Sequence, residues 1–516
     1  MTKWEIIHIK KSERVIEMKK ISLNVYENLD EINRIFSRPE NFDFKIREFT
    51  TKVSGKEVAG FLAFYDGLVN QNYMNRDILG GLIKAKGDEK GEISDVIFKR
   101  LISLVPLFKN NDFNVLIEML TFGHCLVFID GCPDCFVADV KGWDKRSVGE
   151  PMREASLSGP QEAFTEIIMN NIALVRKILK DPDLITENIR VGTRSKTPCA
   201  LMYIKGVTNK KLVEEIRYRL NNIDTEYIFS SGDIEMLLET KTYFPMTYTL
   251  KTERPDRAAS MLAEGKVVVI VQGSPFALVL PTTAADLIET SEDNYVRVPE
   301  ANFMRIVRLL GMTLSVLLPG FFVAIMLYHR EVFPTDLLLN IEASREVVPF
   351  PLVLELILME LAFELIKEAS VRVPSPIGST LGIIGGLILG QAAVDANIVS
   401  PISIIIVSIA GLGAFATPSV ELSRSMALTR FVYIIFAAIG GFLGLIISIF
   451  ATISFMAASS TFGVPFLSPI TPRDENSAVD VLLIKPIWKK EKRPQNLNTQ
   501  NPRKQPHISR KWLGKD

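Results

Sequence analysis

LLGMTLSVLLPGFFVAIMLY, residues 309–328, is a run of twenty residues without a charge. Arg305 and Arg308 stand before it; His329 and Arg330 follow it. A helix of that length crosses a hydrocarbon core of about 30 Å. Residues 398–417 and 431–456 are two further uncharged runs, the last with length to spare for tilt. These runs make the chain an integral membrane protein. Its predicted fold class is an α+β soluble N-terminal region of two subdomains, followed by an all-α polytopic membrane domain with four or five spans.

The region upstream has a different character. Residues 1–300 are charged throughout, so the overall balance of 59 Lys+Arg against 59 Asp+Glu conceals a sharp shift. A formal net charge of zero argues against a nucleic-acid binder that works by bulk charge. The start, MTKWEIIHIKKSERV, lacks the basic-then-apolar pattern of a signal peptide, which predicts a cytoplasmic soluble region. The predicted organisation is a polar leader (1–44), soluble subdomains over 45–150 and 159–291, a transmembrane domain over 303–470, and a basic disordered tail (471–516). In the first subdomain FLAFYDGLVN and DVIFKRLISLV read as helices, and LVFIDG and CFVADV as a hairpin. In the second, 164–179 and KKLVEEIRYRLNNI read as helices; ALMYIKG, VVVIVQG and FALVLP read as strands.

No nucleotide-binding loop, Ser-His-Asp signature or HExxH is present, and no enzymatic activity or cofactor is expected. Cys132-Pro-Asp-Cys135 is a C-x-x-C that suits a metal or redox site. Its place between two apolar stretches favours a plain hairpin turn, so no metal is assigned.

Two apolar segments carry the candidate functional residues. In 377–394, Gly378, Gly382, Gly386 and Gly390 recur at four-residue steps, a ladder that lets helix backbones approach closely. Thr380, Ile384, Leu387 and Gln391 share another face of the same helix, with Asp395 at its end. That sparse polar face suits either a narrow pore lining or ordinary helix packing. In 352–366 the apolar run contains Glu355, Glu360 and Glu364; Glu360, Glu364 and Glu368 stack at four-residue spacing. Carboxylates in lipid are costly, so Glu360 and Glu364 are expected to face water or a basic partner. Loop charges conflict: five spans put Lys367, Arg372, Arg424 and Arg430 inside but the basic tail outside, and four spans do the reverse for the Arg424–Arg430 loop.

Several stretches together resemble the A subunit of the GerA-type nutrient germinant receptors of endospore-forming bacteria. They are GPQEAF (159–164), ERPDRAASMLAEGKVVVIVQGSPF (253–276), SREVVPFP (344–351), LMELAFELIKEASVRVP (358–374) and IGSTLGIIGGLILGQAAVDANIVSP (377–401). The resemblance implies a multi-pass protein of the spore inner membrane that works with a transporter-like B subunit and a lipoprotein C subunit. It implies a homo-oligomer, a pentamer, forming a ligand-gated ion channel that initiates germination. The alternatives are an accessory germination paralogue, or a membrane-anchored signalling scaffold without its own conductance. A transporter is the rival of another class, but the unlike spans show no internal repeat.

Overall fold

The computed structural model describes residues 20–87, 91–104, 106–142, 150–151, 154, 156, 158–239, 246–372, 390–473, 481–506 and 510. The soluble region holds two five-stranded antiparallel sheets. The first has the order β1-β2-β4-β5-β3, with β1 Phe44–Val53, β2 Lys56–Tyr65, β3 Leu107–Asn110, β4 Cys125–Ile129 and β5 Cys135–Ala138. The second has the order β6-β7-β9-β10-β8, with β6 Leu184–Val191, β7 Thr197–Ile204, β8 Leu250–Thr252, β9 Val267–Val271 and β10 Ala277–Leu280.

Most local expectations hold. The segment Cys132–Cys135 connects β4 to β5, which pair antiparallel. VVVIV and ALVL are adjacent buried strands, not a span. FLAFYDGLVN is a correction: FLAFY completes β2, paired with β1 on one side and β4 on the other. All of its side chains are buried, and a strand buried on both faces has no period-2 signature to separate it from a helix. The region read as a leader (1–44) also contributes structure. Its Val25–Ile35 helix is capped by the Asn24 side chain and buries Val25 and Ile32 against the first sheet's core.

The two sheets are joined by a buried cation. Arg176 is 3% exposed; it pairs with Asp43, and its Nη2 donates to Asp43 Oδ1 at 2.7 Å, Asn41 Oδ1 at 2.8 Å and Thr186 Oγ1 at 3.0 Å. Arg176 and Thr186 belong to the second unit; Asn41 and Asp43 precede or begin the first. A guanidinium with this many acceptors fixes orientation as well as charge.

The helical region follows without a break. Val298–Tyr328 and Val420–Ala457 are the two described helices long and apolar enough to cross a membrane. Leu352–Arg372 and Pro401–Phe415 pack with them. The second long helix is not continuous. Gly440 (φ −133°, ψ 16°) and Gly441 (φ 57°, ψ −138°) leave helical geometry. A Cβ on Gly444 would lie 2.0 Å from Phe436 O. Residues eight apart in a straight helix are separated by about 12 Å along the axis. The chain therefore doubles back at the glycine pair. Gly320 accordingly faces Tyr433 from one arm and Leu445 from the other. The expected single span over 431–456 is thus two antiparallel arms. Unbroken hydropathy hid the turn, because both glycines are apolar by composition.

Contacts give each arm a direction. Val298–Tyr328 leaves the soluble region: Met312 and Val316 join the core of the second sheet, whereas Phe322, Val323, Ala324 and Met326 lie in the bundle's own core. Leu352–Arg372 returns, from Glu355 beside Ser400 to Lys367 beside Ser423. Pro401–Phe415 also returns, ending where Gly413 meets Gly311. The two arms of Val420–Ala457 go out and back, and Ser459 then meets Tyr248 of the soluble region, hydroxyl to hydroxyl at 3.1 Å. The described residues thus traverse the bundle five times, counting the two arms of Val420–Ala457 separately.

The tail read as disordered returns to the soluble region too. Arg493 Nε donates to Ala263 O at 2.9 Å and Gln500 N to Val207 O at 2.9 Å. Exchanging Arg176 for Met should strand Asp43 in the interior at a cost of about 3–5 kcal/mol. Thermal unfolding of the purified chain checks this; an unchanged midpoint would show that the cation does not hold the sheets together.

Candidate functional site

The acidic helix is neutralised within the chain. Glu360 and Arg430 are both fully buried, and Arg430 Nη1 lies 2.7 Å from Glu360 Oε2. Arg430 Nη2 also donates to Glu364 Oε1 at 3.2 Å. Lys367 stands 3.8 Å from Glu364 and donates to Ser423 Oγ at 3.0 Å. Glu360 and Glu364 thus face a basic group of the same chain. The charge-free run at 431–456 places Arg430 in a loop before it; the helix instead begins at Val420, capped by Ser419, and carries Arg430 into the bundle. Its partner lies 66 residues upstream, a distance across which one sequence carries no pairing signal. Glu368 is exposed one turn further along.

Glu355 closes the far end of the same helix. It is fully buried, and its Oε1 accepts from both the backbone N–H and the hydroxyl of Ser400 at 2.6 Å. Ser400 precedes the Pro401–Phe415 helix, so the carboxylate sits where the helix dipole favours a negative charge. Arg345 lies 3.7 Å away.

Of the glycine-laddered helix, Gly390, Gln391 and Asp395 are described; Gly378, Thr380, Gly382, Ile384, Gly386 and Leu387 lie outside the described residues. Gly390 is buried against Ile404, 3.8 Å from where its Cβ would stand. Gln391 and Asp395 are exposed on the single chain. The bundle also uses glycines that the ladder did not suggest. A Cβ on Gly413 would come within 2.2 Å of Gly311 O, and one on Gly411 within 2.4 Å of the Phe363 ring.

The turn at Gly440–Gly441 has its own support. The Tyr328 hydroxyl lies 2.9 Å from Ala438 O and 2.8 Å from Ile439 O, sharing its hydrogen between two carbonyls that the broken helix leaves without a partner. A Cβ on Gly441 would stand 3.0 Å from the Tyr328 ring, in a left-handed backbone that disfavours any side chain.

At the near end, the junction with the soluble region is a cluster of charges. Asp293 accepts from Arg305 Nη2 at 2.9 Å and from Arg308 at 2.9 and 3.1 Å. Burial opposes the ionised Asp293, yet Arg308 and Arg305 outweigh it and hold the carboxyl below its usual range. Arg254 donates to Asp256 at 3.0 Å and to Pro160 O at 2.9 Å, and Tyr295 Oη donates to Asp256 at 2.6 Å. Arg257 pairs with Glu154 and donates to the Asp286 and Glu289 carbonyls, both at 2.8 Å. GPQEAF and ERPDR, distant in sequence, therefore form one joint: Phe164 N donates to Glu253 O at 2.7 Å, and Gly159 packs on the Tyr295 ring. The cysteines offer no reactive thiol. Burial raises all four, Cys132 to about 11 and Cys199 to about 12.

This geometry couples a soluble unit rigidly to an apolar bundle with a buried charge network. The sequence signature described as Bacillus/Clostridium GerA spore germination protein matches residues 30–496. The chain belongs to the GerA spore germination protein family. Spore germination protein KA of Bacillus subtilis (strain 168) is 36% identical over 462 residues, 88% of this chain and 85% of its own length. Spore germination protein A1 of the same strain is 34% identical, covering 88% of this chain and 94% of that protein. The Bacillus cereus spore germination protein GerLA is 31% identical, covering 93% and 96%. The crystal structure of the N-terminal domain of the A subunit of the Bacillus megaterium spore germinant receptor GerK3 covers 51% of this chain and 96% of its own, with 30% identity and a TM-score of 0.40. The GerA match begins within the Val25–Ile35 helix and ends inside the basic tail.

In this GerA protein, Arg430→Met should leave Glu360 buried without its cation. The expected cost is about 3–5 kcal/mol, seen as lost membrane-inserted protein. Adding Glu360→Gln should recover much of the loss. Equal accumulation of native chain and single variant would remove the pair from the bundle's stability.

Proposed function

We propose that this chain is the A subunit of a nutrient-sensing germinant receptor, and that copies of it assemble into a ligand-gated ion channel in the spore inner membrane. The observation that carries the reading is the division of the helix ending at Asp395. Gly390 is packed against Ile404, while Gln391 and Asp395 stand uncovered on the single chain. Within a bilayer a polar face of this kind turns to water or to another subunit, not to lipid. A ring of identical helices meets that requirement, and a pentamer is the proposed size. Thr380, Ile384, Leu387 and Gln391 then line the passage, and a ring of Asp395 carboxylates at its end concentrates cations. In this reading Gly378, Gly382 and Gly386, at four-residue steps from Gly390, would continue its packing face.

Six passes, the five described and one proposed over the glycine-laddered segment, favour the same membrane placement. With the soluble region inside, they return the tail inside. Lys367, Arg424 and the tail's lysines then share that side with Arg305 and Arg308, and the conflict in the positive-inside rule disappears. Partner B and C subunits and the nutrient signal enter this proposal from the receptor family. Among the described residues the cysteines and the acidic clusters have structural roles, which supports a gated pore over an enzyme.

The test is the constriction. Leu387→Ala should widen a dewetted passage, so that the purified chain in planar bilayers conducts without nutrient and spores lose dormancy. Silent bilayers from both native and Leu387→Ala protein, with unchanged dormancy, would overturn the channel reading and favour a scaffold.

A further inference from the structure

We propose that residues 481–493 and the base of the Val298–Tyr328 helix form a binding site for the headgroup of an anionic phospholipid. The inference rests on the membrane placement of the bundle but not on conduction.

The sequence VLLIKPIWKKEKR alternates two chemistries. Leu482, Leu483 and Ile487 are exposed at 57%, 45% and 66%, and Trp488 is at 39%. Lys485, Lys489, Lys490, Lys492 and Arg493 surround them with the single acid Glu491. A soluble tail has no reason to expose large apolar side chains beside so many cations. A segment lying at the headgroup level has both reasons, because the apolar groups enter the acyl boundary and the cations meet phosphates.

Its position supports that reading. Ile484 N donates to Asn302 Oδ1 at 2.6 Å, and Arg305 Nη1 donates to Val481 O at 3.3 Å. The segment is thus pinned to the first turns of the outgoing helix. The helix's exposed apolar stripe begins at the next residue, with Phe303 and Met304. Asn302 lies seven residues, about 10 Å along the helix, before the charge-free run that begins at Leu309, so the segment faces the headgroup layer from the soluble side. Tryptophan is enriched at the headgroup level.

A cavity of about 370 Å³ opens between the two elements, with Arg297, Lys485 and Lys490 in its lining beside Pro299, Ile484 and Trp488. Three cations in a mainly apolar lining suit a phosphate joined to the glycerol and acyl ester of a lipid. Asp293 also borders the cavity, but Arg305 and Arg308 engage its carboxylate. Arg493 anchors the other end of the segment on Ala263 O, so bound lipid would brace the soluble unit against the membrane helix.

The experiment uses the full chain in mild detergent, with phosphatidylglycerol and phosphatidylcholine offered in equal amounts and bound lipid read by native mass spectrometry. The expected preference for phosphatidylglycerol is about tenfold at low salt and falls as salt screens it. The combined Lys485→Gln, Lys489→Gln, Lys490→Gln and Lys492→Gln variant should bring the ratio close to one. Equal binding of both lipids by the native chain, or an undiminished preference in the variant, contradicts the proposal. Inorganic phosphate in excess should not displace the lipid; full displacement would mean a free-anion site instead. A variant with changed oligomeric state and unchanged lipid preference would assign the segment to contacts between copies. If the quadruple variant does not fold, Trp488→Phe gives a second reading. Brominated phosphatidylglycerol should quench the native chain more than this variant, and equal quenching overturns the site.

Discussion

A helix that turns back at the exposed end of an apolar bundle frees carbonyls that need a donor, and the Tyr328 hydroxyl serves Ala438 and Ile439 in this way. The rest of the helical architecture depends on that turn. It requires glycine at 441, where φ is positive and the Tyr328 ring is in contact. It lets Phe436 O meet Gly444 backbone to backbone. It also returns the chain to its starting side, where Ser459, the Phe466 carbonyl and the tail all bond to the second soluble unit. A straight helix would leave those contacts unmade.

Charge placement follows from the same arrangement. The outgoing arm from Val420 brings Arg430 beside Glu360 and Glu364, so carboxylates in an apolar helix have a cation of their own. A buried pair of this kind is weak evidence for stability in itself, since desolvation offsets much of the attraction. Its stronger consequence is register: the acidic helix and the Val420 arm fit at one relative height. At the near end Asp293, between Arg305 and Arg308, does the same for the soluble unit and the first membrane helix. Both ends of the bundle are therefore tied to their neighbours through charges with fixed partners.

Much of this was legible in the sequence, and the misses have specific causes. Charge-free runs revealed the bundle because a membrane span needs about twenty apolar residues. The β4–β5 and β9–β10 hairpins were legible from short apolar runs bounded by turn residues. FLAFY was not, since burial on both faces erased its alternation. The Gly440–Gly441 turn was not, because a hydropathy average registers composition and not backbone dihedrals. Two adjacent glycines in an over-long run were the available signal. Glu360 and Glu364 were recognisable as anomalous, but Arg430 looked like a loop cation because it flanked an apolar run. Asn302 and Ile484, and Arg176 and Asp43, are joined across such separations that only the fold brings them together.

The most direct measurement is the sidedness of the turn and the tail. The four native cysteines are buried, so single added thiols report cleanly. A Cβ at Gly440 meets nothing within 4 Å, which makes Gly440→Cys a mild change. Intact cells expressing the chain would be treated with a membrane-impermeant maleimide. The account predicts that Gly440→Cys reacts from outside, as Glu331→Cys does, while Lys489→Cys reacts only after permeabilisation. A Lys489→Cys thiol labelled from outside, with Gly440→Cys protected, would mean that residues 431–456 cross once and that the chain does not turn back.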